Sequence, residues 1–194
     1  EICAKNGIEK VVSSTNLSFI ETHLMTDDGW EQGMTGCKYV MHVAMPFIIA
    51  EPKHPDDIIL PTVEGTKRVI EASKDKPFVY ASTGSVYGAL DSVCTELVDT
   101  NPISTYSVYK LAGERMLDHN AVILRPATAF GVSNRLRNDL LVNDFVRKAC
   151  MKEHMVLFEG HFKRTFISIN DLVRSFAWAV EKHDQMRDAI WNCL

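Results

Sequence analysis

The chain has 194 residues, 46% of them hydrophobic and 24% charged, with a formal net charge of −4. A chain of that size buries one substantial core and leaves little room for a second. Its pI near 6.0 leaves no basic footprint for nucleic acid.

In chain order, the first apolar run is Lys10–Ser14 (KVVSS), read as a strand. The next is Tyr39–Ala44 (YVMHVA). The apolar window around it, Val40–Ala50, is too short for a bilayer span and is broken by His42 and Pro46, which predicts no membrane crossing. A helical pattern follows over Ile58–Ser73, then a strand at Phe78–Ser82, a helix at Tyr106–Asp118 and a strand at Ala121–Arg125. Beyond these come a helix at Asp139–Met151, a strand at Met155–Phe158, a helix at Ile169–Glu181 and a closing strand at Ala189–Asn192. The Ile169–Glu181 helix puts Leu172, Phe176, Ala179 and Val180 on one face, with Asn170-Asp171 as the expected N-cap. Most strand candidates are β-branched and lack alternation, which suits burial on both faces. Alternating strands and helices predict an α/β fold with a parallel sheet and right-handed crossovers.

Five cysteines (Cys3, Cys37, Cys94, Cys150, Cys193) are scattered, with neither a CxxC pair nor His at metal-ligand spacing. That pattern predicts free thiols in a reducing, cytoplasmic setting and no metal site.

Ligands of such sheets bind beyond the carboxyl ends of the strands. There the chain places Ser82-Thr83-Gly84-Ser85, and one loop later Tyr106 and Lys110 open a helix. A spacing of four puts phenol and ammonium on one helix face. A nearby ammonium stabilises a phenolate, so Tyr106 is expected to titrate below its ordinary value and to serve as a general acid/base. Tyr-x-x-x-Lys alone is a weak signal, equally at home on a solvated helix; its context gives it weight.

In that context, FVYASTGSVYG (Phe78–Gly88) followed by YSVYKLAGE (Tyr106–Glu114) resembles the extended short-chain dehydrogenase/reductase family, with its NAD-dependent nucleotide-sugar epimerases and dehydratases. MHVA (Met41–Ala44), PTVEGTKRVIEAS (Pro61–Ser73), VILRPATAFG (Val122–Gly131) and KRTFISINDLVRSFAWAVE (Lys163–Glu181) follow in the family's order. The stretch Gly36–Thr66 looks more like the dihydroflavonol reductase branch. The resemblance implies a Rossmann-like doubly wound parallel sheet over residues 1–194, with a small substrate-binding lobe at about 133–170. It also implies a homodimer packed through helices such as Ile58–Ser73 and Tyr106–Asp118.

Carried over residue by residue, the resemblance makes Thr83, Tyr106 and Lys110 the catalytic set, with Ser82 and Ser85 as less favoured hydroxyls. Lys110 would also hold the nicotinamide ribose. Val43, Ala44, Ala127 and Thr128 match positions along the dinucleotide, all four being equally natural as core or strand-end residues. Thr15 and His23 stand where the family often has acids for the ribose and adenine, so NAD is implied with NADP left open. The glycine-rich turn that cradles the pyrophosphate does not occur in the sequence, which begins EICAKNG without an initiator Met; the resemblance puts it upstream of Glu1, an N-terminally incomplete domain. Arg164 is the expected contact to the nucleotide of a sugar donor, and Arg135, Asn138 and Asn143 are further candidates. His161 reads as a loop residue.

Three functions are carried forward. The first is an NAD(P)-dependent nucleotide-sugar epimerase or dehydratase. The second is an NADPH-dependent carbonyl reductase of the dihydroflavonol type, and the third a non-catalytic dinucleotide-binding protein.

Overall fold

The computed structural model describes residues 18–45, 54, 56–117, 119–134 and 136–194. The expectations for Lys10–Ser14, Thr15 and Arg135 lie outside the described residues. Four strands form a parallel sheet in the order β1 (Val40–His42), β2 (Phe78–Ala81), β3 (Ala121–Pro126), β6 (Ala189–Cys193). Its register pairs Val40 with Phe78, Phe78 with Ala121 and Val122 with Ala189. The doubly wound expectation is met by how these strands bury their side chains. Phe78, Tyr80, Ala121 and Ile123 point to one face, where they pack with Val69, Trp30 and Met34. Val79, Val122 and Leu124 point to the other, against Leu172, Phe176, Ala179 and Val180. Successive strand residues alternate faces, so a β-branched run with both faces covered reads as continuously apolar.

The first face is covered by α1 (Trp30–Met34), α2 (Asp56–Ser73) and α3 (Thr105–Glu114); the second by α5 (Ile169–Glu181). A helix α4 (Leu141–Met151) and the short α6 (His183–Met186) complete the described helices. Two further strands, β4 (Thr128–Phe130) and β5 (Phe166–Ser168), pair in parallel as a second small sheet. Neither has a counterpart in the sequence reading, because three residues are too few to show a period.

Two expectations are corrected. Met155–Phe158 is not a strand: no partner strand lies beside it among the described residues, and all four side chains are exposed. The α5 N-cap is Ser168 and not Asn170-Asp171. The Ser168 hydroxyl accepts from the Asp171 backbone N–H at 3.1 Å and donates to the Asp171 carboxylate at 2.7 Å. Asp171 therefore works from inside the first turn, where a carboxylate also complements the helix dipole. No described helix is long and apolar enough to cross a membrane.

Candidate active site

The carboxyl ends of β1, β2 and β3 carry Val43-Ala44, Ser82-Thr83 and Ala127-Thr128 along one edge of the sheet, and α3 brings Tyr106 and Lys110 to the same edge. Val43 and Ala44 are exposed there, while Ala127 and Thr128 are half-buried. Ala127 is tied to β6 by its N–H on the Cys193 carbonyl at 2.8 Å.

α3 is started by a capping box in which Ser104 and Ser107 each satisfy the other's backbone. Its approach to β2 is set by Gly113, where a Cβ would lie 2.1 Å from the Tyr80 hydroxyl. Only a residue without a side chain allows that contact, and Tyr80 uses it to donate to the Lys110 carbonyl at 3.4 Å. The same packing buries the Lys110 side chain, whose Nζ donates to the Ala81 carbonyl at 2.7 Å and lies 5.1 Å from the Tyr80 ring centroid. Burial of the ammonium lowers the Lys110 pKa to about 8.

Three hydroxyls end β2, and their surroundings separate them. Ser82 is buried and donates to the Glu114 carboxylate. Ser85 is exposed. Thr83, buried and extended in backbone, accepts from the Ser85 N–H at 3.2 Å as the N-cap of the 3-10 turn Gly84–Tyr87. That bond leaves the Thr83 O–H proton unassigned. Of the three, Thr83 is the one whose side chain acts on the titration of the Tyr106 phenol, in the downward direction.

The expected lowering of Tyr106 is not found. Its pKa is raised by desolvation of the phenol, against which Thr83 and the Arg137 charge pull downward. The residue as a whole is 42% exposed. Helix spacing alone would spend the Lys110 charge on Tyr106; in the structure it is directed at the Ala81 carbonyl. The upward shift favours the neutral phenol, and Arg137 is a neighbour that lies outside the Tyr-x-x-x-Lys motif. Arg137 is oriented by Asp139, which accepts from its Nε at 2.9 Å. A cation and a carboxylate two residues apart in NRLRND was the available sequence signal.

Beneath the site lies a polar floor. His42 is buried and its Nε2 lies 3.1 Å from Thr66 Oγ1, with the His42 and Tyr80 ring centroids 5.8 Å apart. Burial, with the Lys110 charge beside it, lowers the His42 pKa to about 4, and burial raises that of Tyr80.

The substrate-side candidates are not gathered at this edge in the same way. Asn143 spends its carboxamide on backbone, donating to the Arg137 carbonyl at 3.0 Å and accepting from the Gly131 N–H at 3.1 Å. With Arg137, Leu140 and Ile169 it lines a small cavity of about 140 Å³. Asn138 and Arg164 are exposed. Arg164 makes no hydrogen bond or ion pair with a described residue, and Asp171, a possible partner, binds Arg174 at 2.9 Å. His161 packs at a tilt against Phe162, ring centroids 4.6 Å apart, and His23 caps its own turn by accepting from the Met25 N–H at 3.1 Å. No cluster of metal-ligating side chains occurs among the described residues.

Known proteins share this arrangement at low identity. The chain is 26% identical over 189 residues to an uncharacterized UDP-glucose epimerase, YtcB, of Bacillus subtilis (strain 168), covering 91% of this chain and 59% of that protein. It superposes with a TM-score of 0.82 on the UDP-glucuronic acid 4-epimerase of Bacillus cereus in complex with UDP-glucuronic acid and NAD, at 23% identity, over 99% of this chain and 64% of the other. RMD from Pseudomonas aeruginosa, solved with NADPH, superposes with a TM-score of 0.77 at 16% identity, over 99% and 74% of the respective chains. These likenesses below 25% identity speak for the fold, and the chain spans about three fifths of the length of the curated relative. The model of the NAD dependent epimerase/dehydratase family matches residues 3–193, and the chain belongs to that family.

Proposed function

We propose that the chain carries the reacting centre of an NAD(P)-dependent nucleotide-sugar epimerase or dehydratase, with Thr83, Tyr106 and Lys110 as its catalytic set. The observation that carries this reading is the gathering of three groups at the carboxyl edge of the sheet: Thr83 at the end of β2, Tyr106 on α3, and one helical turn on the buried Lys110, whose ammonium donates to the Ala81 carbonyl.

The residues fit the nicotinamide end of a dinucleotide. A buried ammonium whose pKa is lowered to about 8 remains mostly charged at neutral pH and suits ribose hydroxyls. Val43, Ala44, Ala127 and Thr128 present short side chains along the crevice, where a flat ring and backbone can approach. NAD, when bound, supplies hydride acceptance and return. Thr83 holds the reacting sugar oxygen, and Tyr106 takes or returns its proton. To accept a proton, Tyr106 must be moved down from its raised value, and Thr83 and Arg137 are the two neighbours that act in that direction.

Arg164 is assigned to the nucleotide phosphates or ribose, since an unspent guanidinium fork suits their oxygens. Asn138 and Asn143 frame the same side, Asn143 by shaping the 131–137 loop. The exposed Leu60 of α2 and Val108 of α3 support a homodimer through those helices, and the unpaired Cys37, Cys94, Cys150 and Cys193 support a cytoplasmic setting.

One observation favours a second reading. A Tyr106 held protonated is a ready proton donor to a carbonyl oxygen, as an NADPH-dependent reductase requires. Incubation with UDP-glucose or UDP-glucuronic acid and NAD, followed by proton NMR of the sugar, separates the two. The epimerase reading expects a new C4 epimer without net NADH; consumption of NADPH with aldehydes and no epimer would replace it with the reductase.

A further inference from the structure

α3 does not end in solvent. Its last residue, Glu114, is buried, and its carboxylate is held by Arg125 of β3, itself buried. The contact is bidentate: Arg125 Nε donates to Oε1 at 2.9 Å and Nη2 to Oε2 at 2.5 Å. Ser82 donates to the same Oε1. Three segments meet on one carboxylate: the end of β2, the end of the helix bearing Tyr106 and Lys110, and β3.

The cluster continues outward. The Arg125 guanidinium lies 4.7 Å from the Tyr87 ring centroid, and the Tyr87 hydroxyl donates to the Asn192 side chain of β6 at 2.8 Å. The 3-10 turn that starts at Thr83 is therefore gripped at both ends, by Ser82 on Glu114 and by Tyr87 on Arg125 and Asn192. Desolvating two charges is costly, and a hydrophobic pair of similar volume would often serve stability as well. What hydrophobic side chains cannot supply is a fixed acceptor for the Ser82 hydroxyl.

We propose that Glu114 is a positioning residue: its carboxylate, held by Arg125, fixes Ser82 and through it the position of Thr83 relative to the helix that carries Tyr106. The inference rests on Thr83 and Tyr106 being the reacting pair. Glu114 touches neither substrate nor cofactor; it acts through the strand end next to Thr83.

The test compares Glu114→Leu/Arg125→Met, which removes both charges together, with Ser82→Ala, which leaves the ion pair in place. Hydrogen exchange is read at the amides of residues 82–88, where Val86 N–H bonds the Thr83 carbonyl and Gly88 N–H that of Ser85. Both variants are expected to speed exchange there about tenfold or more while β6 stays protected. With a nucleotide-sugar, kcat is expected to fall about 10- to 100-fold at nearly constant KM, since small misplacements of reacting groups cost that much. Native exchange at 82–88 in the double variant, or native kcat with only a lower melting temperature, would overturn the proposal and leave the pair purely structural. If the double variant does not fold, unchanged exchange in Ser82→Ala does the same. Wild-type protein without turnover would sink the enzymatic reading, while the exchange arm still decides whether Glu114 holds Ser82.

Discussion

The carboxyl edge of the sheet and the segment Lys152–Thr165 both carry large apolar side chains, and these meet opposite fates. At the edge, Tyr80, Val86 and Ser107 are fully buried, and the Tyr80, Ser82 and Lys110 side chains each bond a group from a different element. From 152 to 165 every residue is exposed, including Met155, Val156, Leu157, Phe158 and Phe162. The difference teaches that an apolar side chain is buried by its partners and not by its own character. It also divides the proposed site: Thr83, Tyr106 and Lys110 stand on elements fixed from several sides, whereas Arg164 stands on a segment whose residues are all exposed.

The most direct way to break the contrast is to remove core on the sheet side. Leu124, almost wholly buried between β3 and α5, should cost about 2–5 kcal/mol as Leu124→Ala, read from denaturant midpoints. A loss comparable to a surface substitution would mean that this face is not a packed core.

Acid should sharpen the contrast, because it reaches the floor of the site before the surface carboxylates. The His42 pKa is lowered to about 4 from 6.5, chiefly by burial and then by the Lys110 charge. Between those values the unfolded chain binds the proton and the folded chain does not. Stability present above pH 6.5 is therefore lost as pH falls toward 4, by about 3 kcal/mol in all. Lys110 and the neutral Tyr80 face the same ring and stay in one protonation state over this window. His42→Phe should flatten the slope in that window, and an unaltered slope would place its origin elsewhere.

Legibility in the sequence follows the same division. β2, β3, α2 and α5 were readable because runs such as Phe78–Ala81 and the Leu172, Phe176, Ala179, Val180 stripe carry their period locally. Met155–Phe158 was misread because hydrophobicity says nothing about whether a partner strand exists. Thr83, Tyr106 and Lys110 could be singled out as a group, since strand end and helix start lie one loop apart. The Glu114–Arg125 pair could not, because it joins a helix end to a strand interior and only the tertiary packing creates it. The direction of the Tyr106 shift was missed for a related reason: spacing gives neighbours on one helix, whereas desolvation is set by everything packed around the hydroxyl.

On the exposed side the expected effects are smaller. Arg164→Ala should leave the melting curve unchanged yet raise KM for a nucleotide-sugar about tenfold or more, with Arg164→Lys recovering only part, since an ammonium lacks the bidentate fork. Affinity for uridine diphosphate that ignores this residue would remove Arg164 from the site. Smallest of all, Phe158→Ser should change stability by less than about 0.5 kcal/mol, and a large loss would show that the segment is packed after all.

The central claim, that Tyr106 moves the proton at this edge, is tested most directly by Tyr106→Phe, which keeps the ring and deletes only the hydroxyl. Turnover of the nucleotide-sugar and binding of NAD are measured on the same preparation. The account predicts kcat lower by about 10²- to 10⁴-fold with NAD affinity nearly unchanged. A variant that keeps more than about a tenth of the activity would contradict it, because a residue that carries general acid/base catalysis contributes more than that.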